Sequence, residues 1–125
     1  MSVIEQEIEL KGSKGSKKVL ALFDSGATYS HIKPDLAEGL GMLENLPQPL
    51  IFATANKEDS MEATKAVRLD FWIDGYRFSD EFMILPNLAE EVIIGAKTMQ
   101  AWRMKLDFET EKVIFDHKVT RLRLI

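Results

Sequence analysis

The segment that decides the fold is Leu20–Thr28, which reads LALFDSGAT. Its first part belongs to an apolar run, Val19–Phe23, that is typical of a β-strand buried on both faces. The run stops at Asp24, and a carboxylate at the end of a buried strand is costly to desolvate. The Ser25 hydroxyl can donate to that carboxylate, and Gly26 allows a tight turn that brings backbone amides near it. Taken alone, however, this triplet is most often an ordinary turn at the end of a strand.

A second segment, Val92–Gly95, reads VIIG and lies far downstream of the first. Aliphatic residues followed by a glycine are typical of a core strand that ends at a break. This segment also says little about function when it is taken alone.

The rest of the chain predicts short strands separated by turns, together with two short helices. The predicted strands are Val3–Leu10, Leu50–Ala55, Ala66–Ile73, Tyr76–Leu85, the pair Leu106–Phe108 and Lys112–Phe115, and Val119–Ile125. The predicted helices are Pro34–Gly41 and Lys97–Met104. We expect a hairpin loop over Lys11–Lys18, interruptions at Pro47 and Pro49, and a tight hairpin at Asp74–Gly75. The pattern predicts an all-β fold with one or two short helices, arranged as a small barrel or sandwich.

Length and composition restrict the possible functions. The chain has 125 residues, which fit one domain spanning 1–125. Its net charge of -4 argues against nucleic acid or an acidic membrane surface as the main partner. It has no cysteine, which excludes disulfides, thiolate metal ligands and cysteine nucleophiles. The lack of cysteine suits a reducing compartment and Met1–Leu10 has no apolar run like that of a signal peptide, so we expect a cytoplasmic protein.

Together and in this order, the segments resemble retropepsin-like aspartic peptidases, of the type found in retrotransposon polyproteins and in some free-standing bacterial proteins. In that family an Asp-Thr/Ser-Gly-Ala turn closes a buried strand, and a strand of two aliphatic residues and a glycine crosses beside it. Here FDSGAT at 23–28 and VIIG at 92–95 hold those places, and the likeness extends over residues 19–115. The resemblance implies a closed β-barrel that forms half of a two-fold symmetric aspartic peptidase.

The resemblance also implies an active site and a way of working. Its catalytic turn would be formed by Asp24, Ser25 and Gly26. The residues that bind a polypeptide substrate would be Ala27, Thr28, Ala53, Thr54, Ala55, Asn56, Ile93 and Ile94. A flap from about Ala53 to Met61 would close over the extended peptide. The Asp24 carboxylates of a homodimer would share one proton and activate a water molecule, so that neither a cofactor nor a metal is expected.

Some positions depart from the family pattern. Retroviral members carry an acid after the Gly-Ala of the turn and an arginine after the aliphatic-Gly strand, and these two residues pair. Here Thr28 and Ala96 stand in their places, so both members of the pair are missing together. Lys57 stands where the flap usually has a glycine, which affects how the flap moves and fits a substrate.

Other functions stay open. A catalytically silent fold could bind extended peptides by adding them to a sheet, and a third possibility is a dimerisation module of a larger assembly. A serine hydrolase built on Ser25 and His31 is disfavoured because the chain has no Gly-x-Ser-x-Gly turn. His31 and His117 are the only histidines, and their surroundings in the sequence do not match the ligand spacing of a metal site.

Overall fold

The computed structural model of the chain describes residues 3–54 and 58–124. The strands within these residues are β1 (Val3–Lys11), β2 (Ser16–Asp24), β3 (Ser30–Ile32), β4 (Leu43–Ala53), β5 (Ser60–Ile73), β6 (Tyr76–Ile84), β7 (Val92–Ile94), β8 (Lys105–Asp107) and β9 (Lys112–Ile114). The helical segments are α1 (Pro34–Leu40), α2 (Ala96–Ala101) and a 3₁₀ helix at His117–Thr120. The predicted all-β class with short helices is confirmed.

Six of the described strands close into a barrel. Hydrogen-bonded neighbours follow the order β1-β2-β7-β3-β6-β5. The ring closes where β1 returns to β5 through the pairs Glu9–Trp72, Leu10–Phe71 and Lys11–Asp70. β4 pairs with the first half of β5 and lies outside the ring, while β8 and β9 form a separate hairpin. Closure gives each ring strand two neighbours and surrounds an apolar core.

The core is rich in aromatic rings. Phe71 stacks on Phe78 with ring centroids 5.3 Å apart, and Phe78 meets the edge of Trp102 at 5.2 Å. Phe23 of β2 and Ile94 of β7 are fully buried in the same core. The two segments that the sequence singles out are therefore anchored in one apolar cluster.

Strand β2 alternates between buried and more open positions. Val19, Ala21 and Phe23 are buried, whereas Leu20 is 55% exposed and Leu22 is half-buried. The predicted strand is confirmed, but burial on both faces is wrong. The barrel core covers the inward face of β2, whereas its outward face is only partly covered.

The loop between β1 and β2 is shorter than the predicted Lys11–Lys18 segment. Strand pairing continues to Lys11 on one side and resumes at Ser16 on the other. The backbone N–H of Lys14 donates to the carbonyl oxygen of Leu40 at 3.0 Å, at the end of α1. The Gly, Ser and Lys composition thus marks a turn that is held against the helix.

Strand β4 begins at Leu43, earlier than the predicted Leu50, and continues through Pro47 and Pro49. Its register with β5 is interrupted between Asn45 and Leu50. Proline has no N–H to donate, so it is tolerated on an outer strand or at an irregularity. The two prolines therefore distort this strand without ending it.

Chain reversals set the bounds of the remaining elements. Asp74 and Gly75 have φ angles of 50° and 82° and join β5 to β6, which confirms the predicted hairpin. Helix α2 ends at Ala101 instead of the predicted Met104, because Arg103 takes a φ angle of 55° that stops it.

The predicted strand at Val119–Ile125 is wrong for the residues that the structure describes. Val119 and Thr120 belong to the 3₁₀ helix, and residues 121–124 are irregular. Leu122 is 85% exposed and Leu124 is 100% exposed. Alternation favours a strand only when a neighbouring strand pairs with it, and no strand among the described residues pairs with the tail.

Gly12 provides a test of how the loop packs on α1. A Cβ atom at Gly12 would lie 2.2 Å from the carbonyl oxygen of Leu40 and 2.6 Å from a methyl carbon of Leu69. We expect Gly12→Ala to lower the free energy of unfolding by about 2 kcal/mol, because a rigid backbone atom must move. Urea denaturation followed by circular dichroism measures this change.

The matched control is Gly39→Ala in α1, where an added Cβ would meet nothing within 4 Å. This variant should gain up to about 1 kcal/mol from the better helix propensity of alanine. Equal stability of the two variants would contradict the close contact at Gly12.

Candidate active site

Asp24 stands at the end of β2, where the backbone turns sharply. The N–H of Gly26 donates to Asp24 Oδ1 at 2.8 Å, and the N–H of Ala27 donates to the Asp24 carbonyl oxygen at 3.1 Å. The carboxylate is half-buried, and Ser25 and Gly26 beside it are exposed. A carboxylate that keeps a backbone donor and an open side can remain at the end of a core strand and still reach a ligand.

Strand β7 and the start of α2 hold the loop that follows Asp24. β7 lies parallel to β2, with Ile94 opposite Phe23. The N–H of Ala96 then donates to the carbonyl of Ala27 at 2.6 Å, and the N–H of Lys97 donates to that of Thr28 at 3.1 Å. These contacts fix the loop in place by its backbone.

Gly95 is required at this crossing. A Cβ atom there would lie 2.4 Å from the carbonyl oxygen of Tyr29 and 2.9 Å from that of Ala27. No flexible side chain can move aside, because both neighbours are backbone atoms. The glycine of the VIIG segment therefore permits the close approach of two chain segments.

A chain of hydrogen bonds supports the same crossing from behind. The N–H of Gly95 donates to Ser30 Oγ at 3.1 Å, the Ser30 and Thr98 hydroxyls lie 2.8 Å apart, and Thr98 donates to Asp80 Oδ2. Burial raises the pKa of the Asp80 carboxyl above its usual range, and the hydrogen bonds from the Ser30 and Thr98 hydroxyls oppose this rise. The network joins β3, α2 and β6 behind the turn.

Asp24 opens into a groove of about 1130 Å³ between the turn, the β4–β5 hairpin and the segment after β6. Of the residues that the resemblance implies for the site, several line this groove together: Asp24, Gly26, Ala27, Thr28, Ala53, Thr54 and Ile93. Most of its wall is apolar. A groove of this size and shape can hold a stretch of extended peptide beside a carboxylate.

The other implied residues are placed differently. Ser25 faces an apolar hollow of about 320 Å³ on another side of the turn. Ile94 is fully buried in the core and does not line the groove, because neighbouring residues of a strand point to opposite faces. Ala55 and Asn56 lie outside the described residues.

Several groove residues were not singled out from the sequence: Leu22, Tyr29, Leu50, Phe52, Leu85, Leu88 and Glu90. His31 was considered only as a partner of Ser25 or as a metal ligand and Met61 only as the end of the flap, and both also line the groove. The strand period could have indicated Leu22, which lies two residues before Asp24 and so shares its face. Leu85 and Leu88 reach the groove through the turn after β6, and no local sequence signal marks such a placement.

His31 is the unusual member of this wall. Its side chain is buried at 5% exposure, and Nδ1 is buried without a hydrogen-bond partner. Its ring lies edge-to-face with Phe52 of β4 at 4.7 Å between centroids. Burial lowers the pKa of His31 to about 4, so the ring is neutral at pH 7.

Within residues 3–54 and 58–124, no cluster of three or more His, Cys, Asp or Glu side chains is arranged to hold a metal ion. The same residues contain no helix that is long and apolar enough to cross a membrane.

Comparison with known proteins identifies the family. Residues 7–98 match the sequence pattern of the aspartyl protease family. The chain belongs to this family. The turn at Asp24, the crossing at Gly95 and most of the groove wall fall inside the matched region.

Solved structures share the fold at low sequence identity. The retroviral protease-like domain of Ddi1 from Leishmania major superposes with a TM-score of 0.71 at 18% identity, covering 93% of this chain and 90% of that one. The EIAV protease, solved in complex with an inhibitor, superposes with a TM-score of 0.64 at 13% identity, and the match covers 86% of this chain and 94% of that one. The protease of simian foamy virus superposes with a TM-score of 0.50 at 21% identity, and the match covers 81% of this chain and 97% of that one. No curated protein sequence matches the chain significantly. These likenesses confirm the retropepsin-like fold.

The buried His31 makes fold stability depend on pH. The unfolded ring takes up its proton near pH 6.5, whereas the folded ring resists protonation down to about pH 4. Between these values the unfolded state binds more protons, so stability falls as the pH falls. In His31→Phe the decline between pH 7 and pH 4 should be smaller by about 2 kcal/mol, after allowance for partial solvation of the ring.

Urea denaturation of both proteins across this pH range checks the expectation. The informative quantity is the difference between the two stability curves, because the carboxylates contribute to both alike. Parallel curves would show that His31 is protonated as readily in the folded chain as in the unfolded one.

Proposed function

We propose that the protein is an aspartic endopeptidase that works as a homodimer, with one Asp24 from each subunit. The observation that carries this proposal is the placement of Asp24: an accessible carboxylate, held by a backbone amide, opens into a long and mostly apolar groove. Family membership and the retropepsin-like fold agree with it.

The chemistry needs two carboxylates in different protonation states. Adjacent like charges cannot both ionise cheaply, so the pair of Asp24 groups keeps one proton. The ionised carboxylate takes a proton from water, whose oxygen attacks the carbonyl carbon of the peptide. The protonated carboxyl polarises the carbonyl oxygen, and a proton then passes to the amide nitrogen as the C–N bond breaks.

The groove would position the substrate. An extended peptide would lie along Ala27 and Thr28 on one side and along Ala53 and Thr54 of the hairpin on the other. The β4–β5 hairpin is paired up to Ala53 and Ser60, and its residues Ala53, Thr54 and Met61 line the groove, so this hairpin can act as the flap.

A dimer follows from the need for a second carboxylate. The chain contains one Asp-Ser-Gly turn, which is half of such a site. We call the hollow at Ser25 the turn-side patch; its lining is mostly apolar and consists of Ser25, Ala96, Met99, Gln100, Met104, Leu106 and Phe108. Phe108 is 53% exposed there. Apolar surface next to the turn supports an interface that brings two turns together.

Asp24→Asn tests the chemistry. The amide has nearly the same shape but cannot act as the base, so peptide cleavage should fall by about a thousandfold or more. Fold and dimer should persist, because the Gly26 N–H still finds an oxygen acceptor. Mass spectrometry of a diverse peptide mixture, incubated with each protein, measures cleavage.

The outcomes of this comparison separate the alternatives. Undiminished cleavage by Asp24→Asn would place the chemistry elsewhere in the chain. Peptide binding by both proteins without cleavage by either would replace the proposal with a silent peptide-binding module.

Phe108→Glu tests the interface. A carboxylate on the turn-side patch is costly to bury, so the variant should shift to monomer and lose activity while it keeps its melting temperature at low concentration. Met42→Glu is the control, because Met42 is 68% exposed and does not line the patch. Sedimentation velocity gives the assembly state, and a Phe108→Glu dimer with full activity would remove the patch from the interface.

A further inference from the structure

His31 is a buried imidazole for which the catalytic scheme has no use. It sits on the short strand β3, between Met83 of β6 and Ile93 of β7. Three sides of its environment are apolar: the two flanking strands and the ring of Phe52. An aliphatic residue would fill this place without the cost of desolvating a polar ring.

The ring has one polar atom left to offer a ligand. Nδ1 is buried and has no hydrogen-bond partner, while the residue itself lines the groove. Nε2 is therefore the atom that can face a bound peptide. A ligand that fills the groove without a hydrogen-bonding group would leave Nε2 without a partner, which costs free energy, whereas a ligand that bonds to Nε2 avoids this cost.

The charged side chains of the groove restrict which ligand side chain can lie against His31. Besides His31, the groove is lined by two carboxylates, those of Asp24 and Glu90. These two carboxylates disfavour an anionic side chain on the ligand. His31 is neutral at pH 7, so it gives no compensating positive charge.

A side chain that both donates and accepts can pair with His31 in either tautomer, whereas a cationic side chain can only donate. Neutral imidazole carries a donor at one nitrogen and an acceptor at the other, depending on the tautomer. A carboxamide has both an N–H₂ donor and a C=O acceptor, so it can pair with Nε2 in either tautomer. The surrounding groove wall, with Leu22, Leu85 and Leu88, favours apolar side chains at the other positions.

We propose that His31 determines specificity: the groove selects an extended peptide that places a glutamine or asparagine side chain against His31 among otherwise apolar residues. This inference rests on the proposed function, because it assigns a substrate class to the same groove. It makes His31 a binding residue and gives it no part in the bond-breaking step.

The test compares pairs of peptides that differ at one position, which holds either glutamine or methionine. These two side chains are close in size and shape. Glutamine or methionine is placed in turn at each position of an otherwise apolar peptide, and kcat/KM is measured for each pair. Wild type should prefer glutamine by about tenfold at one position, which corresponds to one hydrogen bond of about 1.4 kcal/mol.

Variants at His31 decide the cause of that preference. His31→Phe keeps a ring against Phe52 but has no polar atom, so the glutamine-to-methionine ratio should fall to about one. His31→Leu serves if the phenylalanine variant does not fold. His31→Gln restores a hydrogen-bonding group and should recover part of the preference. Met42→Leu is the control, because Met42 is 68% exposed and does not line the groove, so its ratio should stay at the wild-type value.

Failure of the inference and failure of the proposed function give different results. If wild type cuts peptides but shows no such preference, or if His31→Phe keeps it, the inference is wrong and the peptidase stands. If nothing is cut, titration calorimetry of the Asp24→Asn protein with the same peptide pairs tests the inference alone. A tenfold preference in binding that His31→Phe abolishes would then support it, and equal binding of both peptides would overturn it.

Discussion

The rest of the structure depends on the backbone contact between the loop after Asp24 and the start of α2. The carbonyls of Ala27 and Thr28 accept from the amides of Ala96 and Lys97, and only glycine fits at position 95 between them. Two segments that lie far apart in the sequence are thereby locked at the end of β2. The orientation of the Asp24 turn, and hence the floor of the groove, follows from this contact.

The barrel makes that contact possible. β2 and β7 lie parallel and adjacent, so their ends arrive at the same edge of the sheet. Phe23 and Ile94 anchor this edge in the core, where both are fully buried. The Ser30–Thr98–Asp80 chain fixes the other side of the crossing with hydrogen bonds. An apolar interior on one side and a satisfied polar network on the other leave the turn little freedom to move.

The groove combines an apolar wall with few polar groups, as is usual for ligand sites. Asp24 stays accessible because it ends its strand, whereas His31 is buried because it lies within one. These two environments suit different tasks. An accessible carboxylate can exchange protons with a water molecule, and a buried neutral ring can discriminate between ligands by one hydrogen bond.

The sequence by itself determined much of the fold and the centre of the site. The apolar run before Asp24, the Ser-Gly turn and the VIIG segment are local signals that are typical of the family, and the Asp74–Gly75 hairpin follows from its turn residues. The helix at Pro34 and the pairing of β8 with β9 were also predictable, because proline and hydrophobic periodicity act over a few residues.

Only the tertiary structure decided the extent of β4, the form of the tail and the wall of the groove. In the sequence, Pro47 and Pro49 look like the end of a strand. In the structure β4 is the outermost strand of its sheet, so the missing N–H groups of these prolines are tolerated. The alternation at 119–124 predicts a strand that has no neighbour within the described chain. Leu85, Leu88 and His31 reach the groove because barrel closure brings distant strands side by side, and the sum of long-range contacts that closes a barrel is not encoded in any local pattern.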